Sequence, residues 1–118
     1  MATKVIVIDD SRVARQQASC VLETAGYLVV EAVDGRDGLE KIAAHPDANL
    51  VLCDVNMPKL SGLDVLAQVG SPRPAFLMVT TEGQPELVQQ AKQRGAKGWI
   101  IKPYKPELLL AAVRRLAG

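Results

Sequence analysis

The sequence predicts an α/β fold in which a parallel sheet is covered on both faces by helices. Strand-length apolar runs, beginning with Val5-Ile6-Val7-Ile8, alternate five times with stretches of helical periodicity. Gly and Pro punctuate the changeovers, and no internal repeat, low-complexity tract or linker interrupts the pattern. At 118 residues the chain fits one domain, residues 1–118. That length can bury roughly two-thirds of the surface exposed by the unfolded chain.

The first strand, about Val5 to Ile8, leads into a helix from about Ser11 that presents Ala14, Ala18, Val21, Leu22 and Ala25 at helical spacing and stops at Gly26. Ser11 can cap it. A second strand near Leu28 to Ala32 precedes a helix from about Gly35 to Ala44. His45-Pro46 ends that helix, because the residue before a proline disfavours helical backbone angles. The third strand, Leu50 to Cys53, delivers Asp54. A loop over Val55 to Ser61 precedes a short helix from Gly62 to about Val69, and Pro72 and Pro74 lead into a fourth strand, about Ala75 to Val79, followed by Thr80 and Thr81. Pro85 suits the first turn of a helix running to about Arg94 with Gly95 as its stop; Trp99-Ile100-Ile101 is the fifth strand, and Pro106 to Leu116 the last helix.

Composition excludes several classes. A net charge of +1, 48% hydrophobic and 3% aromatic residues describe an ordinary soluble α/β protein, neither disordered nor a bulk nucleic-acid binder. The apolar runs are far shorter than the ~20 residues of a membrane span, and the N-terminus lacks a signal-peptide layout, so no membrane insertion and a cytoplasmic location are expected. Cys20 and Cys53 have no metal spacing and read as small buried apolar residues. Residues 1–81 hold seven Lys/Arg against ten Asp/Glu and residues 82–118 seven against three, so the C-terminal part is basic. That is either a solvated face or a docking face for an acidic partner.

The chemistry lies at the strand ends. Ligands of open parallel α/β sheets bind outside the carboxyl ends of the strands. Asp9 and Asp10 end the first strand, Asp54 the third, Thr80 the fourth and Lys102 the fifth, so one rim gathers three carboxylates, a hydroxyl and an ammonium. Clustered carboxylates imply a cation, and hard oxygen donors without a His or Cys cluster favour Mg²⁺ or Mn²⁺ over Zn²⁺. Each residue has a plainer reading: helix caps for Asp9 and Asp10, a turn for Asp54, a local hydrogen bond for Thr80, solvent for Lys102.

Together these residues resemble the receiver domain of bacterial response regulators, of the CheY type. The resemblance spans about Lys4 to Leu116: Asp9-Asp10, then Asp54-Val55-Asn56-Met57-Pro58 with Gly62, then Thr80-Thr81-Glu82, then Lys102-Pro103, each after the right strand. It implies a flavodoxin-like, doubly wound five-stranded sheet in the order 2-1-3-4-5 with five helices. It also implies a two-component switch in which Asp54 accepts a phosphoryl group from a sensor histidine kinase. In that reading Asp10, Asp54 and the Asn56 carbonyl hold Mg²⁺, with Asp9 acting largely through water. Lys102 pairs with the phosphate, and Thr80 and a backbone amide near Val55 donate to it. Asn56 and Glu82 match positions that tune loss of the phosphoryl group, in a chemotaxis-type pair. The Lys102–Pro103 bond is expected to be cis, aiming the ammonium into the site.

Trp99 stands where the family usually carries Tyr or Phe as a mobile switch; it is either that switch or a fixed packing residue. Thr81 is expected to tighten the space it would enter. His45, the single histidine, is expected at the surface far from the acidic rim, so the phosphodonor comes from another protein. The chain ends just after its fifth helix, so the expectation is a stand-alone, non-enzymatic switch. Its partners would be a kinase, a phosphatase, and an output target docking on the face of helix four, strand five and helix five, with Lys92, Arg94, Lys97 and Lys105. A flavodoxin-like electron carrier fits less well, because Asp9-Asp10 would repel its phosphate. An aspartyl-nucleophile phosphatase places its nucleophile after the first strand and needs a cap.

Overall fold

The computed structural model describes residues 2–70, 73–81 and 85–117. Among them, β1 (Lys4–Ile8), α1 (Arg12–Thr24), β2 (Leu28–Ala32), α2 (Gly35–Ala44), β3 (Leu50–Asp54), α3 (Gly62–Gln68), β4 (Ala75–Thr81), α4 (Pro85–Gln93), β5 (Gly98–Lys102) and α5 (Pro106–Ala117) follow in strict alternation. The strands form one parallel sheet in the order β2-β1-β3-β4-β5, the order implied by the resemblance.

Successive side chains of a strand point to opposite faces, and here both faces are buried, which is why the runs are continuously apolar. Ile6, Ile8, Val51, Cys53, Phe76 and Met78 pack with Leu63, Val65 and Leu66 of α3 and Ala91 of α4. The neighbours of those strand residues, Val5, Val7, Leu50, Leu52, Leu77 and Val79, pack with Ala18 and Leu22 of α1 and Leu109, Ala112 and Val113 of α5. Burying a Val, Leu or Ile side chain contributes roughly 1.5–3 kcal/mol, so these two layers dominate the fold.

The helix ends follow from local chemistry. Ser11 Oγ accepts from the Ala14 amide at 3.3 Å, and Gly26, with φ 97°, supplies the left-handed turn that ends α1. Two caps escaped the sequence reading. Asp34 accepts from the Asp37 amide at 2.8 Å, and Ser61 forms a reciprocal capping box with Asp64.

The structure corrects three expectations. β4 runs through Thr80 and Thr81 because β5 pairs alongside it, Thr81 opposite Lys102. Cys20 is exposed, since it lies off the α1 stripe whose buried members are Ala18, Ser19 and Leu22. Cys53 is buried as expected, and desolvation pushes its thiol far up. Thr81, expected to tighten the space near Thr80 that Trp99 would enter, is exposed and lines a groove with Ala18, Val21 and Tyr104 on the face of the sheet opposite Trp99. His45 is half-buried and at the far end of the sheet, its Nδ1 3.3 Å from Lys4 Nζ. No helix among the described residues is long and apolar enough to cross a membrane.

Candidate functional site

The strand register builds the rim. Ile8 is level with Cys53, Asp54 with Val79 and Thr81 with Lys102, so the residues at or just past the carboxyl ends of β1, β3, β4 and β5 share one edge of the sheet. One carboxylate oxygen each from Asp9, Asp10 and Asp54 lies within 4.8 Å of the others. Asp9 and Asp54 are only 6% and 5% exposed, whereas Asp10 is open to solvent.

Two buried carboxylates this close demand compensation, because removing charge from water costs several kcal/mol per ion. Lys102 provides it. Its Nζ donates to Asp9 Oδ2 at 2.9 Å and to Asp54 Oδ2 at 3.1 Å. The remaining oxygens accept backbone amides: Asp9 Oδ1 from Ser11 at 2.9 Å and Asp54 Oδ1 from Asn56 at 3.0 Å. Desolvation is nevertheless the largest influence on Asp54 and leaves its carboxyl above the ordinary range, against the pull of the Asn56 amide and Lys102 and with a push from Asp9. Burial also drags on Lys102, but the hydrogen bond to Asp9 and the charges of Asp54 and Asp9 outweigh it, holding the ammonium above its usual value. The site therefore has a fixed cation in place.

Val55 N–H is committed to the Val79 carbonyl at 2.9 Å, so the amide facing Asp54 belongs to Asn56. The Asn56 side chain is exposed and its Nδ2 donates to Thr81 Oγ1 at 3.4 Å. Thr80 is buried, 1% exposed, one residue beyond Val79, the β4 partner of Asp54. Glu82 lies outside the described residues. The Lys102–Pro103 bond is cis, as expected.

The loop from Val55 to Ser61 returns to its origin through Gly62, whose amide donates to the Val55 carbonyl at 3.1 Å. Lys59, with φ 67°, takes the left-handed turn within it. A Cβ on Gly62 would sit 2.3 Å from the Asp54 carbonyl oxygen and 2.8 Å from Val55 Cα, so only glycine allows this approach.

Trp99 is half-buried against the α3–α4 side of the core. It is level with Met78, while Ile101 is level with Thr80, and Lys92 Nζ lies 4.3 Å from its ring centroid, a cation–π contact. Sequence reasoning missed Arg15, whose Nη1 donates to the Asp9 carbonyl at 2.8 Å. An arginine on an amphipathic helix carries no signal of which carbonyl it will reach.

Residues 5–114 match the response regulator receiver domain. The chain belongs to this family. It is 30% identical to the chemotaxis protein CheY of Thermotoga maritima over 121 residues, 99% of either chain, and 35% identical to CheY1 of Helicobacter pylori over 111 residues, 90% of either. The solved structure of CheY4 of Vibrio cholerae superposes with a TM-score of 0.89 at 39% identity, covering 98% of this chain and 99% of that one. This receiver is thus a two-component signalling protein similar to CheY, with an acidic rim whose all-oxygen donors suit a hard divalent cation.

Proposed function

We propose that this chain, as a single receiver domain over residues 1–118, is a phosphorylation-dependent switch of the cytoplasm. It takes a phosphoryl group from a phosphohistidine of a sensor kinase onto Asp54 and changes its protein-binding surface. The carrying observation is the convergence of three carboxylates within 4.8 Å around one Lys102 ammonium that touches both buried ones. A metal-free electron carrier or a phosphate-binding loop has no use for that charge pattern.

Asp9, Asp10, Asp54 and the backbone carbonyl of Asn56 would hold Mg²⁺, and Mn²⁺ suits the same donors. When bound, the ion supplies positive charge to a transferring phosphoryl group. A carboxylate oxygen of Asp54 attacks phosphorus. The P–O bond forms as the P–N bond breaks, and the electron pair of that bond leaves with the kinase imidazole nitrogen. Because the transition state is loose and highly charged, positioning and electrostatics do most of the work. Lys102 neutralises the incoming oxygens, and the Thr80 hydroxyl and the Asn56 amide donate to them. Water later attacks the acyl phosphate, with Asn56 and Glu82 tuning its access. The chain thereby assists its own phosphorylation and dephosphorylation and turns over no other substrate.

Output is proposed to pass through α4, β5 and α5, where Lys92, Arg94, Lys97 and Lys105 are exposed and suit an acidic segment of a target protein. CheY-named relatives favour a chemotaxis or motility pathway, with a phosphatase as a third partner. With acetyl phosphate and Mg²⁺ the protein is expected to gain one phosphoryl group, seen by intact mass and lost when chelator is present. Equal incorporation in excess chelator would contradict the reading.

Trp99 is the proposed readout of this change. Beryllofluoride with Mg²⁺, which mimics the acyl phosphate, is expected to shift its emission to the blue as the indole leaves Lys92 and enters the space beside Thr80. An unchanged spectrum at saturation assigns Trp99 to fixed packing; in that case Trp99→Ala chiefly lowers stability, by roughly 3 kcal/mol.

A further inference from the structure

Every hydrogen-bonding group of Asp9 is engaged. Its amide donates to the Ala32 carbonyl at 3.2 Å, its carboxylate takes Ser11 and Lys102, and its carbonyl takes Arg15 Nη1 at 2.8 Å. That carbonyl belongs to the peptide unit whose nitrogen is Asp10. Its orientation therefore sets where the Asp10 side chain, the exposed member of the acid triad, is directed.

Arg15 is itself held. Its Nε donates to Glu31 Oε1 at 3.0 Å, and its side chain is only 12% exposed against 41% for Glu31. Glu31 stands on β2 level with Val7, one residue before the Ala32 whose carbonyl takes the Asp9 amide. The planar guanidinium thus spans two acceptors, a carboxylate on β2 and a carbonyl at the end of β1, a geometry that a lysine ammonium does not reproduce.

We infer that Arg15 is a positioning residue for the divalent cation: anchored by Glu31, it fixes the Asp9–Asp10 peptide so that Asp10 completes the acid triad. This rests on the proposed metal-binding role of the rim. Outer-shell partners that orient ligands typically change metal affinity by about 10- to 100-fold when removed.

The sign of the effect separates positioning from charge. Arg15 is a cation near the rim, so on electrostatics alone its removal would tighten Mg²⁺ binding. Positioning demands the reverse. Calorimetric titration with Mg²⁺ is expected to show binding about 10-fold weaker in Arg15→Ala. Arg15→Lys should be weakened too, although it keeps the charge, and Glu31→Ala should move in the same direction without touching α1. Phosphoryl uptake from acetyl phosphate should need correspondingly more Mg²⁺ for half-maximal rate and recover the wild-type rate at saturation, which a general loss of structure would not produce. Should Arg15→Ala fail to fold, Arg15→Lys, which keeps the charge, carries the test. Wild-type protein that binds no Mg²⁺ overturns the metal reading and this inference with it. Wild-type binding with unchanged or tighter binding in the Arg15 variants overturns this inference alone.

Discussion

Asp54→Asn is expected to reduce phosphoryl uptake below detection and, in the cation-free protein, to raise stability at neutral pH. The first effect removes the nucleophile. The second follows from burial: desolvation holds the Asp54 carboxyl above its ordinary 3.8, despite the Asn56 amide and Lys102. A carboxyl with a raised folded-state pKa contributes stability that is complete below its unfolded value and lost as the pH climbs through the folded one. At neutral pH the ionised Asp54 therefore costs stability. Asparagine has the same shape and one acceptor oxygen without the charge. The gain in melting temperature, measured in chelator, should shrink as the pH falls through the carboxylate range and close below 3.8. A variant no more stable than wild type at neutral pH would mean that attraction to Lys102 outweighs desolvation. Uptake surviving the substitution would remove Asp54 from its proposed role.

Gly62→Ala should be the most damaging single-methyl change near the rim. In an ordinary helix interior, glycine to alanine gains about 1 kcal/mol. Here the added carbon would lie 2.3 Å from the Asp54 carbonyl oxygen and 2.8 Å from Val55 Cα, both backbone atoms that no rotamer change can move. Overpacking costs typically 1–3 kcal/mol, and with backbone on the receiving side the net loss should be about 3 kcal/mol. Relief of the clash would drag Asp54 and Val55 away from β4, so phosphoryl uptake should slow as well. Urea unfolding decides the first point and uptake kinetics the second. A loss within about 0.5 kcal/mol, the range of an ordinary surface change, would show that the loop yields freely.

The convergence of Asp9, Asp10, Asp54, Thr80 and Lys102 was legible because parallel strands end on one rim, and strand ends are visible as the last residue of an apolar run. Their mutual hydrogen bonds were not. That Lys102 reaches Asp9 as well as Asp54, or that Arg15 grips the Asp9 carbonyl, depends on side-chain paths across elements far apart in sequence. Thr81 was misplaced for a related reason. Its face follows from strand alternation only once β4 is known to continue through it, and that continuation depends on pairing with β5. Cys20 shows the limit of reading apolar residue types singly, since its angle on α1, not its chemistry, decides exposure. Asp34 and Ser61 could have been found as caps, each standing just before a helix with an acid in its first turn.

The two arginines near the end of α4 have a mechanical consequence. Among the described residues α4 fully buries only Ala91, with Leu87 partly buried against the same core, so few apolar side chains hold it. Its tail is fastened otherwise: Arg94 Nη1 donates to the Leu63 carbonyl at 3.1 Å, while Arg73 donates to the Leu66 carbonyl at 3.1 Å and to the Arg94 carbonyl at 2.7 Å. A rod pinned at one end swings; it does not slide. With a rise of about 1.5 Å per residue, a small rotation about that pivot displaces the Pro85 end most, the end that follows β4 and the hydroxyl of Thr80. Were α4 to rotate, Lys92, close to the pivot, would travel least, and the indole beneath it would face a nearly stationary fulcrum while the far end of the lever carried the motion.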